Sequence, residues 1–345
     1  MKRIFVLHEY GAPSHYNALV NLANQNNYKV AFYEFHLKRQ IKSALRGKGI
    51  IRCLRNCLFL SAIRFFKKSK IVIGIAPFNP LLPKLMNLLR RHEVYYHTSY
   101  THWDGIISAY PTDSQNLKKC WNIFTQEYVK HIFAVSNKTK EELIKYQYSR
   151  PERISVVYHS YNYPIKAEKE TTKNNTFIYV GRLTPQKGIK ELLEIFATKP
   201  EAQLILIGDG VDRNIAQQYA QNYTNIQYIG PIKGLGNIIP YYQKSSFVIL
   251  NSQRDNHWEE LFGITLIEGM ACGCVPITTD HPGPKEIITH NQNGVICAEG
   301  NITEGINKAI LMTNTQYQSM REKSINSGMK FTANNIAIRW NAIFN

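Results

Sequence analysis

Two cations stand five residues apart in Val180-Gly181-Arg182-Leu183-Thr184-Pro185-Gln186-Lys187-Gly188. A strand ends in glycine, a short loop carries the cations, and a helix begins after the second glycine. Such a loop leaves the carboxyl edge of a sheet. A planar guanidinium beside a mobile ammonium there suits a diphosphate. Each charge-assisted hydrogen bond contributes about 1.5–3 kcal/mol. Read alone, the same pair is also an ordinary solvated turn between strand and helix.

The run from Glu260 to Pro276 holds a second pair, Glu260 and Glu268, with seven residues between them. A helix starting near Gly263 leaves the N–H groups of Gly263, Ile264 and Thr265 free, and with the helix dipole they form an anion site. Glu260 then faces the helix entrance. Glu268, about a turn inside, is placed to accept hydrogen bonds from ribose hydroxyls, as acids do in dinucleotide folds. By itself Glu260 reads equally as the acid that commonly opens a helix. His281-Pro282-Gly283-Pro284-Lys285-Glu286 follows a third strand, again as a Gly/Pro turn before a helix. Three such turns at three carboxyl edges are far less expected by chance than any one.

The elements that must position these turns alternate between strand and helix. In the first half, strands are expected at 3–7, 30–33, 71–76, 93–98 and 131–136. Helices are expected at 14–26 (capped by Ser14), at 80–91 and after Ser136 or Asn137. Residues 161–175 are polar, contain Pro164 and lack apolar periodicity, so the domain boundary is placed there. The alternation then restarts, with strands at 176–180, 203–207, 226–229, 247–250 and 275–278. This pattern predicts an α/β chain of two Rossmann-like, doubly wound domains with an interdomain cleft. The domains are residues 1–160 and 176–330, joined by the linker 161–175. A final helix in 331–345, apolar at Ile336, Ile338, Trp340 and Ile343, is expected to pack back on the first domain.

A chain of 345 residues, 44% apolar and 19% charged, suits two such domains and excludes wholesale disorder. Cysteines at 53, 57, 120, 272, 274 and 297 show no paired zinc spacing and read as reduced thiols of a cytosolic protein. No signal peptide opens the chain, because the apolar run stops at His8-Glu9. No window is long and apolar enough to span a membrane. The net charge of +17 is lopsided: residues 1–160 hold 25 Lys and Arg against 9 acids, and between Phe35 and His92 there are 14 cations and no acid. Within 37–66, basic residues interleave with Ile41, Leu45, Ile50, Ile51, Leu54, Leu58, Phe59 and Ile63, the pattern of a segment that lies on an anionic membrane. The plainer reading makes these apolar residues ordinary core and the charge a solubility device.

Together GRLTPQKG (181–188), LILIGDG (204–210), the paired acids 260 and 268, GMACGCVPI (269–277) and PGPKE (282–286) resemble glycosyltransferase family 4, also called group 1, with the GT-B fold. The resemblance extends over most of 176–296. The first half matches weakly, through AVSNKTKEEL (134–143) and HTS (97–99). It implies a retaining transferase that moves a sugar from a nucleotide diphosphate to an acceptor, with a uridine diphosphate sugar the leading donor. By the resemblance Arg182 and Lys187 bind the diphosphate, Glu260 lies near the donor sugar, and Glu268 binds the ribose. His97 becomes a catalytic histidine of the cleft, with His102 its rival; without the resemblance, His97 is a satisfied loop histidine. The usual Gly-Gly after the first strand is Gly11-Ala12 here, so close approach to the phosphates rests on Gly11. The Asn-Gly often found after strand 154–158 is His159-Ser160, and the Gly-Gly of the last turn is Pro282-Gly283.

No Asp-x-Asp motif occurs, which agrees with a mechanism needing neither metal nor other cofactor. The expected partners are the nucleotide sugar, a glycan or lipid-linked acceptor of bacterial surface polysaccharide assembly, and an anionic membrane surface met by residues 37–68. The expected location is the inner face of the cytoplasmic membrane. A basic nucleic-acid-binding protein is the rival class, but no helix-turn-helix, zinc finger or RNA-recognition signature appears, and no nucleic-acid partner is expected. A sugar-nucleotide epimerase or a phosphorylase on the same fold is a third reading, disfavoured by the Arg/Lys pair with its two acids.

Overall fold

A computed structural model describes residues 2–106, 109–167, 172–256 and 258–345. The chain forms two units, Met1–Ser160 with Ala333–Asn345, and Tyr161–Thr332.

In the first unit, β1 (Lys2–His8), α1 (Asn17–Gln25), β2 (Tyr28–Glu34), α2 (Leu37–Ala44), α3 (Ile50–Ala62), β3 (Lys70–Gly74), α4 (Leu82–Leu89), β4 (Glu93–Thr98), α5 (Gln115–Ile123), β5 (Ile132–Ala134), α6 (Asn137–Lys145) and β6 (Ile154–Val156) follow in order. The strands make one parallel sheet ordered β2-β1-β3-β4-β5-β6. Ile4–Leu7 and Ile71–Ile73 are buried, as strands covered by helices on both faces must be. The chain order reverses between β1 and β3, and ligands of doubly wound sheets bind beyond the carboxyl ends of such a pair.

Two helices differ from the sequence expectation. The helix expected from residue 14 with Ser14 as cap starts only at Asn17. Pro13 opens a 3-10 turn, Pro13–Tyr16, whose fully buried Tyr16 occupies the N-cap position without a side-chain cap. Before it, Gly11 (φ 93°) and Ala12 (φ 71°, ψ 53°) are both left-handed. Ala12 thus keeps the backbone conformation a glycine would supply, at a cost of about 1–2 kcal/mol. The terminal helix is short, α14 (Ala333–Ala337), and continues as a 3-10 turn over Ile338–Ile343. With three residues per turn, Ala337, Trp340 and Ile343 share the buried side, while Ile338, expected to pack, is 63% exposed. Tyr95 Oη donates to the Ile343 carbonyl (3.3 Å), and α14 packs on α1, so this segment belongs to the first unit.

The second unit runs β7 (Thr176–Val180), α7 (Ile189–Ala197), β8 (Gln203–Ile207), α8 (Arg213–Asn222), β9 (Ile226–Gly230), α9 (Leu235–Gln243), β10 (Phe247–Leu250), α10 (Ile264–Cys272), β11 (Val275–Thr279), α11 (Pro282–Ile287), β12 (Val295–Cys297), α12 (Ile302–Leu311) and α13 (Asn314–Gly328). Its parallel sheet is ordered β12-β11-β10-β7-β8-β9, the dinucleotide-binding order, with the switch point between β7 and β10. Every residue of β7, β10 and β11 is buried. Helix α7 covers the sheet with Ile189, Leu192, Leu193 and Phe196, spaced for one helical face and each contributing about 1.5–3 kcal/mol by burial. The expected linker 161–175 is not free-standing. Tyr161 N donates to the Phe331 carbonyl (3.2 Å), Gln243 Nε2 to the Lys166 carbonyl (3.1 Å), and Asn174 N to Ser246 Oγ (2.8 Å). Residues 168–171 of that tract lie outside the described residues.

Candidate functional site

In the second unit three loops meet beyond the switch point. The loop after β7 forms a 3-10 turn, Pro185–Lys187, and hands over to α7 at Gly188. Gly188 has φ +59°, and a β-carbon there would lie 2.3 Å from Asn251 Nδ2. Only glycine allows this turn to close on the end of β10. Lys187 is thereby aimed at the loop after β10, where its Nζ pairs with Glu260 Oε2. Ser252 Oγ donates to the same oxygen (2.9 Å), and the Trp258 ring lies 4.6 Å from the ammonium. Both partners are nearly buried, with side-chain exposures of 11% and 12%.

The third loop fixes Glu260. His281, fully buried at the N-cap of α11, accepts from Glu260 N at Nδ1 (3.1 Å) and meets the Ser252 carbonyl at Nε2 (2.8 Å). The proton therefore sits on Nε2, and burial holds the imidazole below its ordinary pKa. Gly283 lets α11 approach: a β-carbon there would stand 2.3 Å from Phe262 N. Pro282-Gly283 thus serves the packing of the Glu260 loop. His281 is a positioning residue the sequence reading passed over, although it opens the third turn singled out there.

The remaining expected donor residues share this edge. Arg182 is exposed and pairs with no carboxylate among the described residues, and its carbonyl accepts from Tyr179 Oη (2.6 Å). Gly263 (φ 96°) is the N-cap of α10, so Ile264 and Thr265 begin the helix with no intrahelical acceptor for their N–H groups. Glu268 lies one turn further in. Tyr242 Oη donates to its Oε2 (3.3 Å), and burial raises its pKa to about 7.

In the first unit Gly11 lies beyond β1, against Glu34. His97, expected to face a ligand, is 4% exposed. Its ring is enclosed by Tyr16 (4.8 Å between centroids) and Trp340 (5.3 Å), and burial pushes its pKa well down. His102, its rival, is half-buried in the loop after β4. The sequence reading missed that His97 is one of four. His15 lies 4.2 Å from His159 and 6.2 Å from His8, and His159 lies 6.0 Å from His97. His8 and His15 are the half-buried members. The available signal was positional: His8 ends β1, His97 is the last residue but one of β4 in the same parallel sheet, and His159 follows a third strand.

Beside them a cavity of about 280 Å³ is walled by Glu9, Glu34, Arg39, Gln40, Lys48 and Arg52. Glu9 is buried and accepts from Ala76 N (3.2 Å) and from the Tyr110 hydroxyl. Helix α3 runs from this cavity along the sheet. Its Cys53, Asn56 and Phe59 face inward, while Ile51, Leu54 and Leu58 are 84%, 57% and 70% exposed. The apolar residues of the basic tract therefore divide: Phe59 and Ile63 are core, and the others form a ridge in solvent. Among the described residues no cluster of His, Cys, Asp and Glu is placed to hold a metal ion, and no helix is long and apolar enough to cross a membrane.

Residues 164–330 match the family described as glycosyl transferases group 1. An uncharacterized glycosyltransferase of Haemophilus influenzae is 28% identical over 179 residues, covering 50% of this chain and 49% of its own. The chain spans about half the length, or less, of the first curated relatives it matches. Among solved structures, Anabaena HepE in complex with UDP and glucose superposes with a TM-score of 0.71 at 16% identity, covering 98% of each chain. The lipopolysaccharide outer core galactosyltransferase WaaB superposes at 0.65 and 19% identity, covering 100% of this chain and 99% of that one. The fold is that of these two-domain GT-B structures.

Proposed function

We propose that the chain, whose residues 164–330 match the group 1 glycosyl transferases, is a retaining glycosyltransferase acting from a nucleotide diphosphate sugar. The observation that carries this reading is the Lys187–Glu260 pair, held by Ser252 and His281 beyond the switch point of the second sheet. A donor diphosphate brings the counter-charge that Glu260 supplies when the site is empty. Arg182, Lys187 and the first N–H groups of α10 at Gly263, Ile264 and Thr265 then neutralise the leaving group without a metal or other cofactor. Glu268 accepts from the ribose hydroxyls. The bond from the anomeric carbon to the β-phosphate oxygen breaks while the acceptor oxygen attacks the same face, and the acceptor proton passes to the departing phosphate. Glu260, freed from Lys187, faces the sugar. In the first unit Gly11 follows β1, and His8, His15 and His97 gather near the carboxyl ends of β1 and β4.

UDP in HepE supports a uridine diphosphate sugar as donor. The cavity walled by Glu9, Glu34 and three cations takes a polar acceptor, and the α3 ridge lays the enzyme on an anionic membrane. That placement fits a lipid-linked glycan acceptor at the inner face of the cytoplasmic membrane, in surface polysaccharide assembly. WaaB, a lipopolysaccharide transferase of the same fold, supports it.

Incubation with a panel of nucleotide sugars in EDTA tests the reaction. One donor should release its nucleoside diphosphate slowly, and Arg182→Ala/Lys187→Ala should abolish the release. No release together with no calorimetric binding of any nucleotide sugar would sink the reading. The membrane limb is tested by flotation. The protein should rise with vesicles containing anionic lipid and stay down with purely zwitterionic ones.

A further inference from the structure

At its far end α3 leads to a second cavity in the first unit, of about 360 Å³, lined by Arg64, Phe65, Asn87, Leu88, Arg90 and Arg91. It sits at the amino edge of the sheet, where β3 and β4 begin, so it is not the acceptor cavity at the carboxyl edge of β1. One buried residue brings its cations together. His92 accepts from Ser69 N at Nδ1 (3.3 Å) and donates from Nε2 to the Ile63 carbonyl (3.0 Å). Ile63 precedes Arg64 and His92 follows Arg91, so this bond clamps the turn after α3 to the turn after α4.

Three guanidiniums held around one cavity repel one another. The nearest acid in sequence, Glu93, is taken by Lys68 (3.0 Å) and Lys70 (3.2 Å). Among the described residues none of the three arginines pairs with a carboxylate, and none of the 14 cations between Phe35 and His92 has an acid in that stretch. The cavity therefore presents an unbalanced positive charge to solvent. Phe65, 79% exposed, both lines the cavity and extends the apolar ridge of Ile51, Leu54 and Leu58. An anion here therefore lies at the level of an apolar surface, which is where a lipid headgroup sits when such a ridge enters a bilayer. Guanidinium forks fit the three free oxygens of a phosphate monoester better than the two of a phosphodiester.

We propose that Arg64, Arg90 and Arg91 form a headgroup site for a membrane lipid bearing a phosphate monoester, an anchor separate from the acceptor site. The proposal rests on the membrane-associated reading above and adds to it a stereochemical preference. Bulk attraction counts charge alone, whereas this cavity distinguishes two lipids at equal charge.

The test uses the full chain and phosphatidylcholine vesicles carrying either phosphatidic acid, a phosphate monoester, or phosphatidylglycerol, a phosphodiester, matched in zeta potential. The chain should bind the phosphatidic acid vesicles about fivefold or more tightly. Arg64→Gln/Arg90→Gln/Arg91→Gln should remove that ratio. Lys38→Gln/Lys42→Gln/Arg46→Gln, an equal loss of charge from α2 and its following turn, should weaken both and keep the ratio. Equal binding at matched charge, or a ratio that survives in the arginine variant, overturns the proposal. So does saturable calorimetric binding of inorganic phosphate through these arginines without any lipid preference, which assigns the site to a free anion. A single-stranded oligonucleotide that displaces the protein from vesicles through the same arginines also overturns it. Failure to bind any anionic vesicle overturns the membrane reading itself.

Discussion

Lys187→Ala is expected to slow sugar transfer by about 10²–10³-fold, the usual cost of removing one charged donor from a developing anion. It should also lower the stability of the second unit by up to about 3–5 kcal/mol. The two losses have different causes. Glu260 is 12% exposed and paired to Lys187, with Ser252 Oγ as its further donor to that oxygen, so removing the ammonium leaves a nearly buried carboxylate short of counter-charge. The reverse change is milder, because in Glu260→Gln the ammonium still rests 4.6 Å from the Trp258 ring. Lys187→Ala/Glu260→Gln should therefore regain most of the stability and none of the rate. Urea unfolding and nucleoside diphosphate release on the same four proteins decide this. If the double variant also recovers its rate, the pair is scaffold. If neither single variant changes the rate, the diphosphate lies elsewhere.

The second domain was legible because its chemistry is local in sequence. Gly188, Lys187, Glu260 and Gly283 sit at turns that follow short, wholly buried strands, and a parallel sheet carries every such turn to one edge. Strand limits at 176–180, 203–207 and 247–250 coincide with those expected. What pattern could not give was the partner of each side chain. That Lys187 is held by Glu260, and Glu260 by His281, depends on the loops after β7 and β11 both meeting the loop after β10. The first domain was legible in its strands and misread in its helices. Pro13 opens a 3-10 turn ahead of the helix expected from Ser14, and the terminal segment turns with period three where 3.6 is expected. The histidines were hidden for a different reason. A lone histidine on a strand carries no sign of its neighbours, and the four come from β1, the turn after it, β4 and the end of the first unit. The basic tract shows the converse. Its composition suggested an exposed amphipathic surface, but only tertiary packing shows that Phe59 turns inward while Leu58 does not.

Acidification should unfold the first domain well before ordinary carboxylate titration would. Burial holds His8 and His15 at about 4, against 6.5 in an unfolded chain, and pushes His97 and His159 down as well. Between pH 6.5 and 4 the unfolded state binds more protons than the folded one. Stability is therefore complete above pH 6.5 and falls as the pH drops toward 4. Each of His8 and His15 removes up to about 3 kcal/mol across that window, at 1.36 kcal/mol per unit. A loss of about 6 kcal/mol is comparable to the whole stability of a typical domain. The second unit carries an opposing contribution, because Glu268 is raised to about 7 and its stability is complete below pH 4.5 and lost as the pH rises through 7. Acid should thus weaken the first unit more than the second. Tryptophan emission separates them, since Trp103, Trp121 and Trp340 lie in the first unit and only Trp258 in the second. The urea midpoint followed by emission should fall steeply from pH 6.5 to 4.5, and His15→Gln should flatten the fall by about a third to a half. A midpoint that is level across this range in the unaltered chain would mean that the histidines are hydrated and titrate normally, and that the enclosure of His97 between Tyr16 and Trp340 is not maintained in solution.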